Sequence, residues 1–213
     1  DNIGRLMRAV KELGLDDNTI VVFTSDHGEC FGAHGRRAKN IFYEEAVRVP
    51  FLIRWPGRLQ PGGSCDVCLN TVDIMPTLLS MMALPIPETV EGSDLSLFMT
   101  DSRRTTDDGA LMMCCGPTAA WGDGVEWRAY RTKRYTYAVY RQDGQELLFD
   151  HIEDPLEMQN LAKDPACSKL KDALREAMWE KMRRINDGFM PNTYYQENWV
   201  EDRIIKRTAT MDG

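Results

Sequence analysis

The stretch TIVVFTSDHGE, at residues 19–29, decides how the rest of the chain is interpreted. Residues 20–23 form an apolar run rich in β-branched side chains, which is typical of a strand covered on both faces in a parallel sheet. Asp26, His27 and Gly28 follow it after two polar residues. Open α/β sheets bind ligands outside the carboxyl ends of their strands, and a glycine permits the turn that aims neighbouring side chains at one target. The stretch therefore predicts a buried strand that carries Asp26 and His27, as a metal-binding pair, to an active-site rim.

The residues around this stretch predict an α/β arrangement that is incomplete. A helix is expected from Asn2, with apolar residues every three or four positions and Gly14 as its stop. A parallel strand needs a neighbouring strand reached through such a helix, and that neighbour would precede residue 1. We therefore expect the chain to be the later part of a larger protein. Its missing amino-terminal part, or an oligomer partner, would be needed to cover the sheet.

Further elements complete the expected α/β part at residues 1–100. Residues 47–55 predict a second strand, in which Pro50 indicates an edge or entry position. A helix is expected to begin at Thr71 or Asp73. Its predicted buried side consists of four apolar residues, namely Ile74, Leu78, Leu79 and Met82.

The pattern changes after a polar segment at residues 101–109, which lacks periodicity and is interpreted as a linker. Short strands are predicted beyond it, with Asp143-Gly144 as a hairpin signal, at residues 110–114, 125–132, 134–141 and 146–149. A long helix is expected at residues 168–186, with one apolar face formed by Leu170, Leu174, Met178, Met182 and Ile185. Residues 110–187 therefore predict a small antiparallel sheet covered by one helix, and residues 188–213 are left as a tail.

Composition limits the partners and the compartment. The net charge of −7 argues against nucleic acid as a partner, and no apolar run has the length of a membrane span. The six cysteines lack the spacing of a disulfide framework, so we interpret them as ordinary thiols. Free thiols favour the cytoplasm. A periplasmic or secreted location stays open, because any signal peptide would lie upstream.

Two further side chains are candidates for substrate binding. Lys39 is a compact point charge suited to a tetrahedral oxyanion, and Arg36 and Arg37 make its segment basic. His34 could act as an acid or hydrogen-bond donor near a leaving group. His151, which follows the predicted hairpin, is assigned to the surface.

The order of these pieces resembles the carboxyl-terminal half of the sulfatase family, within the alkaline phosphatase superfamily. The resemblance is carried by TIVVFTSDHGE, then AHGRRAK, the pair Tyr43-Glu44 and VRVPFLIRWPG, and it continues through residues 69–95 and 126–165. It implies the carboxyl-terminal part of a mixed α/β sheet with helices, plus a small antiparallel subdomain. It also implies that Asp26 and His27 are the second pair of ligands for a divalent cation, calcium or alternatively manganese. Lys39 would contact the sulfate, and His34 matches a histidine present in only some members.

The resemblance also implies that the catalytic nucleophile lies outside this chain. Sulfatases use a formylglycine made from a C/S-x-P/A-x-R signature, which would precede residue 1 together with two more metal ligands. The nearest imitation, at residues 115–119, lacks the arginine and is rejected. We therefore expect the chain alone to be inactive towards a sulfate ester, whether of a small molecule or a glycan. Two alternatives stay open: a phosphonate monoester or phosphodiester hydrolase of the same superfamily, and a non-catalytic binding or assembly module.

Overall fold

A computed structural model describes residues 1–101, 103–116, 122–202 and 204–206. Its helices are α1 (Asn2–Glu12), α2 (Glu44–Val47), α3 (Ile74–Met81), α4 (Ser96–Thr100), α5 (Ser168–Arg184) and α6 (Asn192–Trp199). Its strands are β1 (Val21–Thr24), β2 (Phe51–Arg54), β3 (Ala110–Cys114), β4 (Trp127–Arg131), β5 (Tyr135–Tyr140), β6 (Glu146–Asp150), β7 (Val200–Glu201) and β8 (Ile204–Ile205). Position 102 of the predicted linker, positions 117–119 of the rejected signature and positions 203 and 207–213 of the tail lie outside the described residues.

The strand at the start of the chain is not buried as predicted. β1 pairs with β2 in a two-stranded antiparallel sheet, with Phe23 opposite Leu52. Their side chains are exposed to 44% and 63%, so the expectation of a strand covered on both faces in a parallel sheet is wrong for this chain. Among the described residues, the sheet that contains β1 has β2 as its other strand, and the pair is antiparallel. β2 is also shorter than predicted, because residue 47 ends α2 and Pro50 has no N–H for a ladder.

Helix α3 begins where the sequence predicts, but its buried residues are not the four predicted. A 3₁₀ turn at Thr71–Asp73 precedes it. Its buried residues are Pro76, Thr77 and Met81. Of the four residues predicted to be buried, Ile74, Leu78 and Leu79 are half-buried and Met82 is 47% exposed, so the prediction is wrong for Met82. The Thr77 hydroxyl accepts a hydrogen bond of 2.9 Å from the Leu95 amide, which joins the buried side of α3 to the segment before α4.

The antiparallel sheet with a covering helix is confirmed. Its four strands lie in the order β3-β4-β5-β6, each antiparallel to its neighbour. Gly144 has a φ of +66° in the predicted hairpin between β5 and β6, a conformation that glycine adopts without strain. The apolar side chains of α5 that were expected to be buried pack on one face of this sheet, around Leu174, Met178 and Met182. All six cysteines are free.

The other face of the sheet packs against the loop region of the α/β part. Strand residues Trp127, Ala129 and Phe149 share a core with Phe42 and Ala46. The Phe42 ring meets the Trp127 ring edge to face, with centroids 5.2 Å apart. The sheet is therefore a middle layer between α5 and residues 30–47. This face of the sheet therefore supports residues 30–47, the segment that contains Lys39. The domain boundary at residues 101–109 stays a prediction.

A buried ion pair fastens the end of α5 to the sheet. The Arg128 guanidinium, fully buried on β4, donates to both carboxylate oxygens of Asp187 at 2.5 and 2.9 Å. It also donates to the Tyr195 hydroxyl of α6 at 3.1 Å and lies 4.6 Å from the Phe189 ring. The first part of the tail, which the sequence left unplaced, is therefore attached to the sheet.

Candidate functional site

The turn after β1 is held by its own polar side chains. The Ser25 hydroxyl donates to the His27 carbonyl at 2.9 Å, and the His27 amide donates to Asp26 Oδ1 at 3.0 Å. The Gly28 amide donates to the Ala46 carbonyl at 2.8 Å. A Cβ at position 28 would overlap the backbone carbonyl of Glu45, so only glycine fits this approach between the turn and α2. The site turn is thereby fixed against α2.

Asp26, His27 and Lys39 lie together at this turn. Asp26 Oδ2 is 3.3 Å from His27 Nε2, and Lys39 Nζ is hydrogen-bonded to the same nitrogen. His27 Nδ1 is 2.7 Å from the Gly28 carbonyl, which can only accept a proton. Nδ1 therefore carries the hydrogen, and Nε2 presents its lone pair to Lys39. The Lys39 ammonium is thus bound to the same His27 nitrogen that lies next to Asp26.

The carboxyl group of Asp26 is suited to cation binding. Slight desolvation acts to raise its pKa, but the neighbouring His27 and hydrogen bonds from backbone amides lower it more. Its pKa therefore lies below the ordinary 3.8, and the carboxylate is ionised at neutral pH. The Asp26 side chain is 83% exposed, so a cation and a substrate can reach it.

His34 lies in a different environment from the one predicted for it. Its Nε2 is 3.4 Å from Glu45 Oε2, and its ring stacks on the Tyr43 ring at 3.7 Å between centroids. Its side chain is only 9% exposed. His34 thus contacts the Glu45 carboxylate and the Tyr43 ring, whereas Lys39 contacts His27. A role for His34 in substrate binding stays a prediction.

Sequence reasoning missed two carboxylates beside His34, those of Glu45 and Glu157. Glu157 follows β6, its side chain is 1% exposed, and its Oε2 accepts a hydrogen bond of 2.8 Å from the Glu44 amide. Burial raises the pKa of Glu157 to about 7, and the charges of Glu44 and Glu45 act in the same direction. The local sequence Asp154-Pro155-Leu156-Glu157 carries no signal for this environment, because the partners of Glu157 lie more than a hundred residues upstream.

His151 was assigned to the surface, and this is wrong. Its side chain is 8% exposed, and its Nδ1 lies 4.0 Å from Glu157 Oε1. Burial lowers the pKa of His151, and the charge of Arg131 lowers it further. The tight turn after β6 folds this ring inward, which the polar residues around it do not reveal.

The predicted metal pair passes a simple test of fit. Asp26 Oδ2 and His27 Nε2 are 3.3 Å apart, which is the spacing of neighbouring ligands bound at about 2.0–2.6 Å from one cation. A hard oxygen and an imidazole nitrogen suit calcium, manganese or zinc. Two ligands are an incomplete set, so a cation here would need others. Cation binding by Asp26 and His27 stays a prediction.

Comparison with known proteins identifies the family. Residues 32–184 match the family described as "N-sulphoglucosamine sulphohydrolase, C-terminal". The chain is 38% identical over 200 residues to an ulvan-active sulfatase of Formosa agariphila, covering 92% of this chain and 39% of that protein. Within the described residues, no helix has both the length and the apolar content needed to cross a bilayer.

Solved structures show the same likeness. A protein solved in complex with its substrate D-glucosamine-2-N,6-O-disulfate is 27% identical, with a TM-score of 0.77 over 90% of this chain and 39% of that one. The phosphonate monoester hydrolase of Agrobacterium radiobacter is 25% identical, with a TM-score of 0.67 over 85% of this chain and 38% of that one. The chain therefore spans about two fifths of the length of the relatives that it matches.

Proposed function

The chain belongs to the sulfatase family as a carboxyl-terminal portion, and we propose that it serves an enzyme that hydrolyses sulfate esters of a glycan. The identity to an ulvan-active sulfatase and the likeness to a protein that binds a disulfated glucosamine support this substrate class.

The observation that carries the proposal is the meeting of Asp26, His27 and Lys39 at one exposed turn. Asp26 and His27 would hold a divalent cation, calcium or manganese, which when bound polarises an ester oxygen as a Lewis acid. A formylglycine from a segment upstream of this chain would supply the nucleophile. Lys39 would leave the His27 nitrogen and place its ammonium against a sulfate oxygen, where it stabilises charge that develops in the transition state.

The test is sulfate release from sulfated oligosaccharides by the full-length protein. Lys39→Ala is expected to lower kcat by about 10²–10³-fold, the usual loss for one oxyanion-stabilising group. Lys11→Ala, an exposed lysine on α1, is the matched control and is expected to act like wild type. Equal activity of the two variants would contradict the role of Lys39. The 213-residue chain alone is expected to give no turnover.

A phosphonate monoester or phosphodiester hydrolase is the second candidate. The structural likeness to the Agrobacterium radiobacter enzyme favours it, and phosphonate and sulfate monoesters both present tetrahedral oxyanions to Lys39. Parallel assays of the full-length protein with an aryl sulfate and a phenyl phosphonate monoester separate the two. We expect kcat/KM to be higher for the sulfate, and a higher value for the phosphonate would reverse the assignment.

A further inference from the structure

We propose that His34, Glu45 and Glu157 form a second divalent-cation site, separate from the Asp26–His27 pair. We call these three residues the seam cluster, because they join residues 30–47 to the turn that follows β6. Each of the three offers one ligand atom, and these atoms all lie within 4.8 Å of one another. Ligands bound at about 2.0–2.2 Å from one metal ion lie roughly 3–4 Å apart, so a small contraction around an ion completes the site.

Two carboxylate oxygens of the seam cluster are buried without a hydrogen-bond partner. The Glu157 side chain is only 1% exposed. Its Oε2 accepts a hydrogen bond from the Glu44 amide, whereas its Oε1 accepts none. Glu45 Oε2 is also buried and accepts none, with His34 Nε2 as its neighbour at 3.4 Å. A buried carboxylate oxygen without a partner is strongly unfavourable. A bound cation satisfies both oxygens at once.

The ion pairs around the seam cluster leave its two carboxylates without a lysine or arginine partner among the described residues. Within the described part of the chain, the ion-pair neighbours of Glu45 and Glu157 are the imidazoles of His34 and His151. The guanidinium of Arg131 is engaged with Glu44 at 2.9 Å instead. Two carboxylates without a lysine or arginine partner among the described residues form an environment that attracts a cation rather than an anion.

The ligands are held before any ion binds. The His34 ring is fixed by parallel stacking on Tyr43, with an interplanar angle of 8°. Behind Glu157, His151 Nε2 is 2.8 Å from the Thr136 hydroxyl, and its Nδ1 is buried without a hydrogen-bond partner. Outer histidines and hydroxyls of this kind orient metal ligands in proteins. The Glu45 side chain is 30% exposed and gives the ion a route from solvent.

One imidazole nitrogen and two carboxylate oxygens favour a divalent ion of the first transition row, such as Mn²⁺. Mn²⁺ is the better probe, because Zn²⁺ would also bind the six free thiols. The number of bound ions is counted from the loss of the free Mn²⁺ signal in electron paramagnetic resonance. The 213-residue chain is used in an Asp26→Asn, His27→Asn background, which removes the other predicted pair.

In this background we expect one Mn²⁺ to bind per chain. Adding Glu157→Gln is expected to weaken binding at least tenfold, because the amide keeps the length of the side chain and an acceptor for the Glu44 amide but loses the charge. Glu153→Gln is the matched control, since Glu153 lies in the same turn with a side chain that is 76% exposed, and it is expected to change nothing. Circular dichroism of each variant verifies the fold.

Three outcomes would overturn the proposal: no bound Mn²⁺ in the Asp26→Asn, His27→Asn background, binding that survives Glu157→Gln, or equal weakening by Glu153→Gln. The first would mean that the seam cluster is satisfied by shared protons or water. This experiment measures ion binding and not turnover. A failure of the sulfate-release assay would therefore leave the Mn²⁺ result unchanged, and a failure of Mn²⁺ binding would leave the proposed sulfatase function unchanged.

Discussion

Replacing Asp187 by asparagine removes the charge partner of a fully buried cation. Arg128 is 0% exposed, and Asp187 meets it with two hydrogen bonds, of 2.5 and 2.9 Å. Asparagine keeps the shape and one acceptor oxygen. It leaves the guanidinium with the Tyr195 hydroxyl and the carbonyls of Cys114 and Trp127, none of which carries a charge.

The expected loss follows from this burial. Removing one partner of a buried ion pair costs about 3–5 kcal/mol, because the remaining charge stays uncompensated. The net stability of a domain is about 5–15 kcal/mol, so the variant would lose a large part of it. Asp172→Asn on α5 is the matched control. Asp172 pairs with Arg175 at 2.7 Å, but the two side chains are 52% and 40% exposed, and an exposed pair contributes about 0–1 kcal/mol.

Urea unfolding followed by circular dichroism measures both variants at neutral pH. A loss below about 1 kcal/mol for Asp187→Asn, or a loss equal to that of Asp172→Asn, would refute the reasoning. The pH dependence gives a second check. Burial acts to raise the pKa of Asp187, but the hydrogen bonds and charge of Arg128 lower it more, below the ordinary 3.8. Its stabilisation is therefore present above pH 3.8 and is lost as the pH falls through the lower folded pKa. Asp187→Asn should lack this part of the acid transition.

Three other substitutions or titrations test the packing. Gly28→Ala is expected to destabilise the chain by about 1–3 kcal/mol in urea unfolding, because its Cβ would overlap the Glu45 carbonyl. Gly4→Ala lies in the first turn of α1, where a Cβ would meet only the end of the Arg8 side chain, at 3.6 Å. It should instead stabilise by about 0.4–1 kcal/mol, and the same sign for both substitutions would contradict the argument. Met178→Ala is expected to lower the free energy of unfolding by about 2–5 kcal/mol, because the Met178 side chain is fully buried between α5 and the sheet. A loss of under about 1 kcal/mol would contradict this, because it would mean that neighbouring side chains fill the space that Met178 leaves. Burial raises the pKa of Tyr130 from 10.0 to about 12, so its contribution is present below pH 10 and is lost as the pH rises towards 12. Absorbance of tyrosinate at alkaline pH should therefore show Tyr130 ionising with unfolding, whereas in Tyr130→Phe that ionisation and this part of the alkaline destabilisation should both be missing.

Local patterns in the sequence were sufficient for the antiparallel sheet and its helix. The bounds predicted for β3 are those of the structure, and the Asp143-Gly144 signal lies at the hairpin between β5 and β6. The apolar face of α5 packs on the sheet as its spacing indicates. These features depend on residues a few positions apart, so turn chemistry and helical periodicity specify them before any long-range contact forms.

The environment of each element was less accessible from sequence. The apolar run of β1 correctly indicates a strand, but Phe23 on it is 44% exposed, because the burial of a strand depends on packing against other elements and not on its own sequence. The burial of Thr77 and the exposure of Met82 on α3 were not predicted, because the partner of Thr77 is the Leu95 amide, 18 positions further along the chain. His151 was misplaced for a similar reason, since the turn after β6 carries its ring inward.

The sequence by itself determined the antiparallel sheet with its long helix, the family and the neighbouring pair Asp26 and His27, because all three depend on short-range patterns or on their succession along the chain. Only the tertiary structure decided that Lys39 meets His27 and that His34 faces Glu45 and Glu157 instead. Glu157 lies 123 positions after His34, and their meeting requires the sheet to carry the turn after β6 against residues 30–47. Packing of the two layers, rather than any local propensity, sets which charges share a buried space.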